Sequence, residues 1–129
     1  MSNPVYAPNA VTLFNSAVNG FEDFVAGVVS SGPVDLSAST DVLLAVTVPP
    51  GALSGTNPSL MVQLDGVDPA GNPIAAMVKT AVVTAAGTYT VSGGLHSTGL
   101  VLSATGQVTV TMTGAGATAA GIQITVTGR

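Results

Sequence analysis

The feature that most constrains this chain is the alternation of aliphatic and polar positions in two segments near its end. In QVTVTMT, Val108, Val110 and Met112 alternate with Thr109, Thr111 and Thr113. In IQITVT, Ile122, Ile124 and Val126 alternate with Gln123, Thr125 and Thr127. A period of two puts one set on each face of a pleated strand, whereas a helix would scatter both sets around its axis. Threonine suits the exposed face because its β-branch fits the pleat. The intervening GAGATAAG, residues 114–121, is small and flexible, which predicts a hairpin with a long loop.

The same pattern recurs upstream. Leu60, Val62 and Leu64 alternate with Met61, Gln63 and Asp65, and Tyr89 and Val91 with Thr88, Thr90 and Ser92. In DVLLAVTV, residues 41–48, one face carries Val42, Leu44, Val46 and Val48. The other carries Leu43, Ala45 and Thr47, which predicts a central or doubly covered strand. Pro49, Pro50 and Gly51 end it, since proline donates nothing to a ladder. Further strands are expected around 76–79 and 80–84, and others within 24–30 and 10–18; a helix within 11–29 lacks a clean 3.6-residue period. Sixteen glycines and eight prolines punctuate these runs. The sum is an all-β fold: an antiparallel β-sandwich, jelly-roll or immunoglobulin-like, of about seven or eight strands, a count set by turn signals between short alternating runs. The predicted layout is an extended arm over 1–10, rich in Pro and Asn, and one sandwich domain over 11–129.

Composition narrows function. Of 129 residues only 6% are charged, with two basic side chains and a net charge of −4. Phosphate neutralisation takes several Lys or Arg, so nucleic-acid binding and electrostatic membrane anchoring are not expected. No apolar run reaches bilayer length and the N-terminus lacks a basic-then-apolar leader, so the expectation is a protein made and assembled in a cytoplasm. A surface so poor in charge is easily desolvated, which points to a chain that packs against partners.

Candidates for chemistry are few. There is no cysteine, and His96 is the only histidine. One imidazole builds no His-based metal cluster within a chain, and no serine sits in G-x-S-x-G. A Ser/His/Asp set would have to use His96, which lies in the glycine-rich SGGLHSTG; an exposed loop histidine is the default reading. Glu22–Asp23 are adjacent and would point apart on a strand. In LDGVDPAGNP, residues 64–73, Asp65, Asp68 and Asn72 could offer oxygens to calcium, but the spacing matches no EF-hand and no bidentate Glu follows. A turn explains the segment better: Asp caps, Pro presets φ, and Gly and Asn accept positive φ. No enzyme activity, metal or cofactor is expected.

Four of the five aromatic residues fall within the first 24 positions: Tyr6, Phe14, Phe21 and Phe24. Either this segment closes the core or it packs on a neighbour. Val5, Tyr6, Phe14, Phe21 and Phe24 are therefore the candidate subunit contacts.

The order PSLMVQLDGVDPAGNPI, KTAVVTAAGTYTVSGG and QVTVTMTGAGATAAGIQITVTGR resembles small structural proteins of tailed bacteriophages, of the minor-capsid or head-decoration type. In these a strand leads to a D-P-x-(S/A)-G-x turn, a T-A-A-G-T-Y-T segment follows, and two Thr/Val strands close the domain. The resemblance covers about residues 58–129. The family often carries an Arg in the penultimate strand, where this chain has Val108 or Thr109, so no contact by that Arg is carried over. The resemblance implies a virion protein on the capsid surface, a decoration or cement subunit that binds the major capsid protein. It also implies a homo-oligomer, with a trimer natural at three-fold sites. A tail or head–tail protein is the alternative within virions, and a carbohydrate-binding β-sandwich the alternative outside them.

Overall fold

The computed structural model describes the backbone of residues 7–8 and 21–128, and side chains from Asp23 onward. Among the described residues there are eight strands: β1 (Ala7–Pro8), β2 (Phe21–Val25), β3 (Gly27–Asp35), β4 (Asp41–Val48), β5 (Leu53–Val67), β6 (Pro73–Lys79), β7 (Gly87–Gly94) and β8 (Thr105–Gly128). All pairings are antiparallel.

The predicted C-terminal hairpin is replaced by a single strand. The two Thr/aliphatic segments and the small-residue stretch between them form the 24 residues of β8. β8 is the spine of the fold. One of its edges carries β3, β2 and β1 in succession, from Asp35↔Thr105 to Ala7↔Gly128. The other carries β5 and then β4, from Gly66↔Gly106 to Val42↔Gly128. β6 pairs on the far side of β5, and β7 on the far side of β4.

A straight strand of that length would run about 80 Å, several times the radius of gyration, about 14 Å, of a domain this size. The sheet therefore has to bend, and glycine is where it does. Gly114, Gly116 and Gly121 of β8 have φ of 129°, 62° and 69°, values that side-chain-bearing residues rarely adopt. Opposite them β5 is irregular, with register shifts between Ser54 and Thr56 and between Thr56 and Ser59. The halves approach closely at this corner: a Cβ on Gly55 would lie 2.7 Å from the Ala117 Cα and 2.8 Å from the Gly116 carbonyl. The stretch that looked like a flexible loop is small because two bent strands must touch there.

Bending turns the aliphatic faces inward as one core. Leu60, Val62, Leu64, Val108, Val110 and Met112 come from one half, and Val42, Leu44, Val46, Val48, Ile122, Ile124 and Val126 from the other. The faces named by alternation are buried, at about 1.5–3 kcal/mol per large aliphatic side chain, except that of β7, where Tyr89 and Val91 are half-buried against the core. β4 is central, between β7 and β8, but its second face is not covered, and Leu43 is exposed. The sheet's ends, β6 and β7, come side by side without pairing, Val78 of β6 occupying the space over Gly93 of β7. The result is a nearly closed barrel with an unsealed seam.

Two further expectations change. The region 80–84 is not a strand, since only Val83 bridges to Leu60. It is tied in by Thr80 instead, whose buried hydroxyl accepts the Val62 N–H at 3.1 Å where β6 has ended. From residue 21 the segment weighed as a helix is β2 and β3; the strand expected within 10–18 lies outside the described residues.

Candidate functional site

Three features could carry function: the loop around His96, the acidic turn at 65–72, and the outer edge formed by β2 and β3.

The loop is built on Asp41, at the start of β4. Its Oδ1 accepts the backbone N–H groups of His96 and Ser97 at 2.9 and 3.0 Å and the Ser97 hydroxyl at 3.1 Å. Its Oδ2 lies 2.7 Å from His96 Nδ1, a contact that needs the proton on Nδ1 because an ionised carboxylate only accepts. Partial burial works against the charge, but the bonds from His96 and Ser97 outweigh it and hold the carboxyl well below the usual range. Gly94, at φ 134°, lets the loop leave β7 beneath Thr40 and Asp41, where a Cβ would strike backbone.

An Asp–His pair of this kind orients catalytic imidazoles, but the third partner is on the wrong side. In acyl-transfer triads the serine hydroxyl sits at Nε2. Here the Ser97 hydroxyl bonds the carboxylate, while the His96 side chain is 76% exposed to solvent. The arrangement does the work of a loop clamp: one carboxylate gathers four donors from a turn 55 residues away in sequence.

The 65–72 segment forms the expected turn. Asp68 Oδ1 accepts the Ala70 and Asn72 N–H groups at 2.9 and 2.8 Å, and Oδ2 accepts the Asn72 amide at 3.1 Å. These bonds, those of Asn72 foremost, hold the Asp68 carboxyl below its ordinary value. Asp65 points away from the turn. Its Oδ1 accepts Gln63 Nε2 and the Ala76 N–H, each at 2.7 Å, and its Oδ2 accepts the Thr109 hydroxyl at 2.7 Å. Ala76 has φ 51°, and a register shift separates Leu64 from Gly66, so this carboxylate catches an amide that the bulge frees from the ladder. The two aspartates thus serve different backbone segments, and among the described residues no acidic, His or Cys cluster suited to a metal forms. An apolar cleft of about 620 Å³ lies beside the turn, lined by Val67, Pro69, Ile74, Val101 and Leu102.

The third feature is the edge. Among the described residues β2 and β3 pair only with β8. Val25, Val28 and Val29 are 69%, 66% and 44% exposed, three of the eight large exposed hydrophobics among the described residues, within five positions. Val29 stands opposite buried Val110 and so faces the core side, yet nothing described covers it. The ends of the edge are irregular. Asp23, between the register positions of Glu22 and Phe24, accepts the Gly121 N–H at 2.8 Å. At the other end Ser31 turns inward, its hydroxyl accepting the Val108 N–H at 2.9 Å, and Pro33 follows. Between them the edge breaks once more: Ala26 is a bend, Gly27 has φ 131°, and the β8 partner moves from Thr118 at Val25 to Met112 at Gly27, irregularities of the kind by which edges resist pairing.

Of the candidate contacts, Val5, Tyr6 and Phe14 lie outside the described residues. The Phe21 backbone pairs with Gln123. Phe24 is buried at 4% exposure and belongs to the core, so its ring faces its own chain. The valines of the edge escaped the sequence reading because its contacts were chosen by aromatic size; the signal available was the uncharged AGVVSSG run. No protein-family model, curated protein or solved structure matches the chain.

Proposed function

We propose that this chain is a non-enzymatic structural subunit of a virion, of the head-decoration type, which binds the major capsid protein and itself. The observation that carries the reading is the use made of polar groups. The carboxylates of Asp41, Asp65 and Asp68 are spent on clamping backbone, while exposed apolar side chains gather on β2 and β3. A site built for chemistry keeps reactive atoms available; a surface built for packing offers apolar area and few charges to desolvate.

The virion assignment rests on the resemblance of residues 58–129 to small phage structural proteins. Within it the fold is read as jelly-roll-like rather than immunoglobulin-like, because β8 runs through both halves of the barrel. The mechanism is mechanical: repeated weak contacts across capsomer joints add by avidity. Co-sedimentation tests it, using purified full-length chain and empty heads assembled from the major capsid protein encoded nearest its gene. Saturable binding and a higher melting temperature of the heads are expected. No co-sedimentation, together with a gene set among tail genes, would move the protein to the tail.

A further inference from the structure

We infer that the apolar cleft beside the 67–74 turn binds an extended, cationic peptide segment, with aliphatic side chains in the cleft and a Lys or Arg beside Asp68. The inference deepens the structural reading above, and rests on it for the source of the segment, the lattice protein.

The cleft forms where two stretches of chain diverge. The ladder between β5 and β8 ends at Gly66↔Gly106. Just beyond it the Ser103 hydroxyl, in place of a ladder carbonyl, accepts the Val67 N–H at 3.3 Å. The chain then turns at Asp68 into β6, while residues 101–104 belong to no strand. The space between them is about 620 Å³, within the range of about 300–1,000 Å³ usual for binding pockets. Val67, Pro69, Ile74, Val101 and Leu102 wall it, and Val67 and Val101 are 42% and 77% exposed. An inserted aliphatic side chain takes this apolar area out of water.

The backbone of one wall sets the form of the occupant. Among the described residues the N–H and C=O groups of Val101, Leu102 and Ser103 make no hydrogen bond, although Leu102 and Ser103 are half-buried. A purely apolar guest would strip water from these groups and leave them unmatched. An extended peptide matches them with its own backbone, as in strand addition, and sends alternate side chains into the cleft.

Charge sets the side chains at its flank. Asp68 lines the cleft, and Asp35 stands opposite Thr105, which also lines it, on the same face of the sheet. No positive side chain lines the cleft, and Lys79 closes the other end of β6. Among the described residues neither carboxylate has a cationic partner, since the one ion pair joins Asp41 and His96. A chain of net charge −4 also attracts a cationic segment and repels an acidic one.

Two synthetic peptides test this on the full chain, by NMR amide shifts and calorimetry: acetyl-Lys-Val-Ile-Val-Lys-amide, and its counterpart with glutamate for both lysines. The lysine peptide should bind saturably, with the largest shifts in residues 67–68 and 101–104. The glutamate peptide should bind at least tenfold more weakly, a gap that narrows in high salt. Methylating the backbone nitrogens of the lysine peptide should abolish binding. Val101→Lys should weaken the lysine peptide at least tenfold while leaving the circular-dichroism spectrum and melting temperature unchanged, since the side chain is exposed. Val82→Lys, at a valine 61% exposed outside the cleft, should bind like the wild type. No saturable binding at millimolar peptide would overturn the inference. So would equal binding of the two charge forms, undiminished binding of the methylated peptide, or shifts centred elsewhere. Binding of an apolar dye in the cleft without binding of the peptide would make it a small-molecule pocket and overturn it too. Peptide binding by a chain that ignores heads leaves the cleft intact and removes the decoration reading. Head binding that Val101→Lys does not weaken does the reverse.

Discussion

The corner where β5 and β8 touch is the part of the fold most exposed to a single methyl group. Gly55 has φ 110°, and a Cβ there would lie 2.7–2.9 Å from three backbone atoms of Gly116 and Ala117. Gly116, in the facing strand, has φ 62° but open space where its Cβ would go. Gly→Ala at these two positions separates backbone strain from steric exclusion. At Gly116 an alanine costs about 1–2 kcal/mol of left-handed strain, offset in part by about 0.4–1 kcal/mol from a stiffer unfolded chain. The net is a loss of about 1 kcal/mol. At Gly55 the same strain applies and backbone atoms must move, adding about 1–3 kcal/mol in the manner of overpacking. The expected loss is about 2–4 kcal/mol. For a domain of this length each kcal/mol lowers the melting temperature by about 4 °C. Gly116→Ala should therefore melt about 4 °C below wild type and Gly55→Ala about 8–15 °C below, read by circular dichroism and confirmed by urea unfolding with unchanged slope. Equal losses at the two positions would refute the close approach as the reason for glycine at 55.

Other outcomes follow from the buried polar groups. Ser31→Ala strands the Val108 N–H in the core and should cost about 1–3 kcal/mol in urea unfolding. Thr80→Val does the same to the Val62 N–H and should cost a similar amount, with no change in the association state. Asp41, Asp68 and Asp35 are all held below their ordinary value of 3.8 in the folded state. Their contribution is full above that value and is lost as pH falls through the lower folded values, because the unfolded chain takes up protons first. Melting temperature should therefore fall between pH 5 and pH 2, a window set by that ordinary carboxylate value of about 4. Asp41→Asn should be less stable at neutral pH and converge on wild type as the acid is strengthened.

The strands were legible wherever one face is buried and the other solvated. Alternation marks β4, β5 and both ends of β8 because each has one wet and one dry side. The middle of β8 was not legible. Its glycines serve a bend and a close contact, and its buried alanines, Ala117 and Ala119, are too small to mark a core face, so the stretch looks like a loop. Asp68 was legible as a turn because its partners lie within four residues. The Asp41 clamp was not, because its four donors come from a loop beyond two intervening ladders, and nothing local at either end announces the other. Phe24 was legible as apolar but not as core, since periodicity does not say which copy of a chain covers a ring.

The spine also sets when this protein can fold. Every ladder except β4–β7 and β5–β6 uses β8. While residues 105–128 are still within the ribosome, the nascent chain can form only those two isolated ladders, and two-stranded ladders are marginal in water. Its valine-rich segments wait unpaired, and the sheet assembles only once β8 has emerged. Such long-range pairing folds in milliseconds to seconds rather than microseconds. Synthesis that stalls before β8 would thus release a chain of open edges, so crowding on a polysome is where this sequence is most at risk of aggregation.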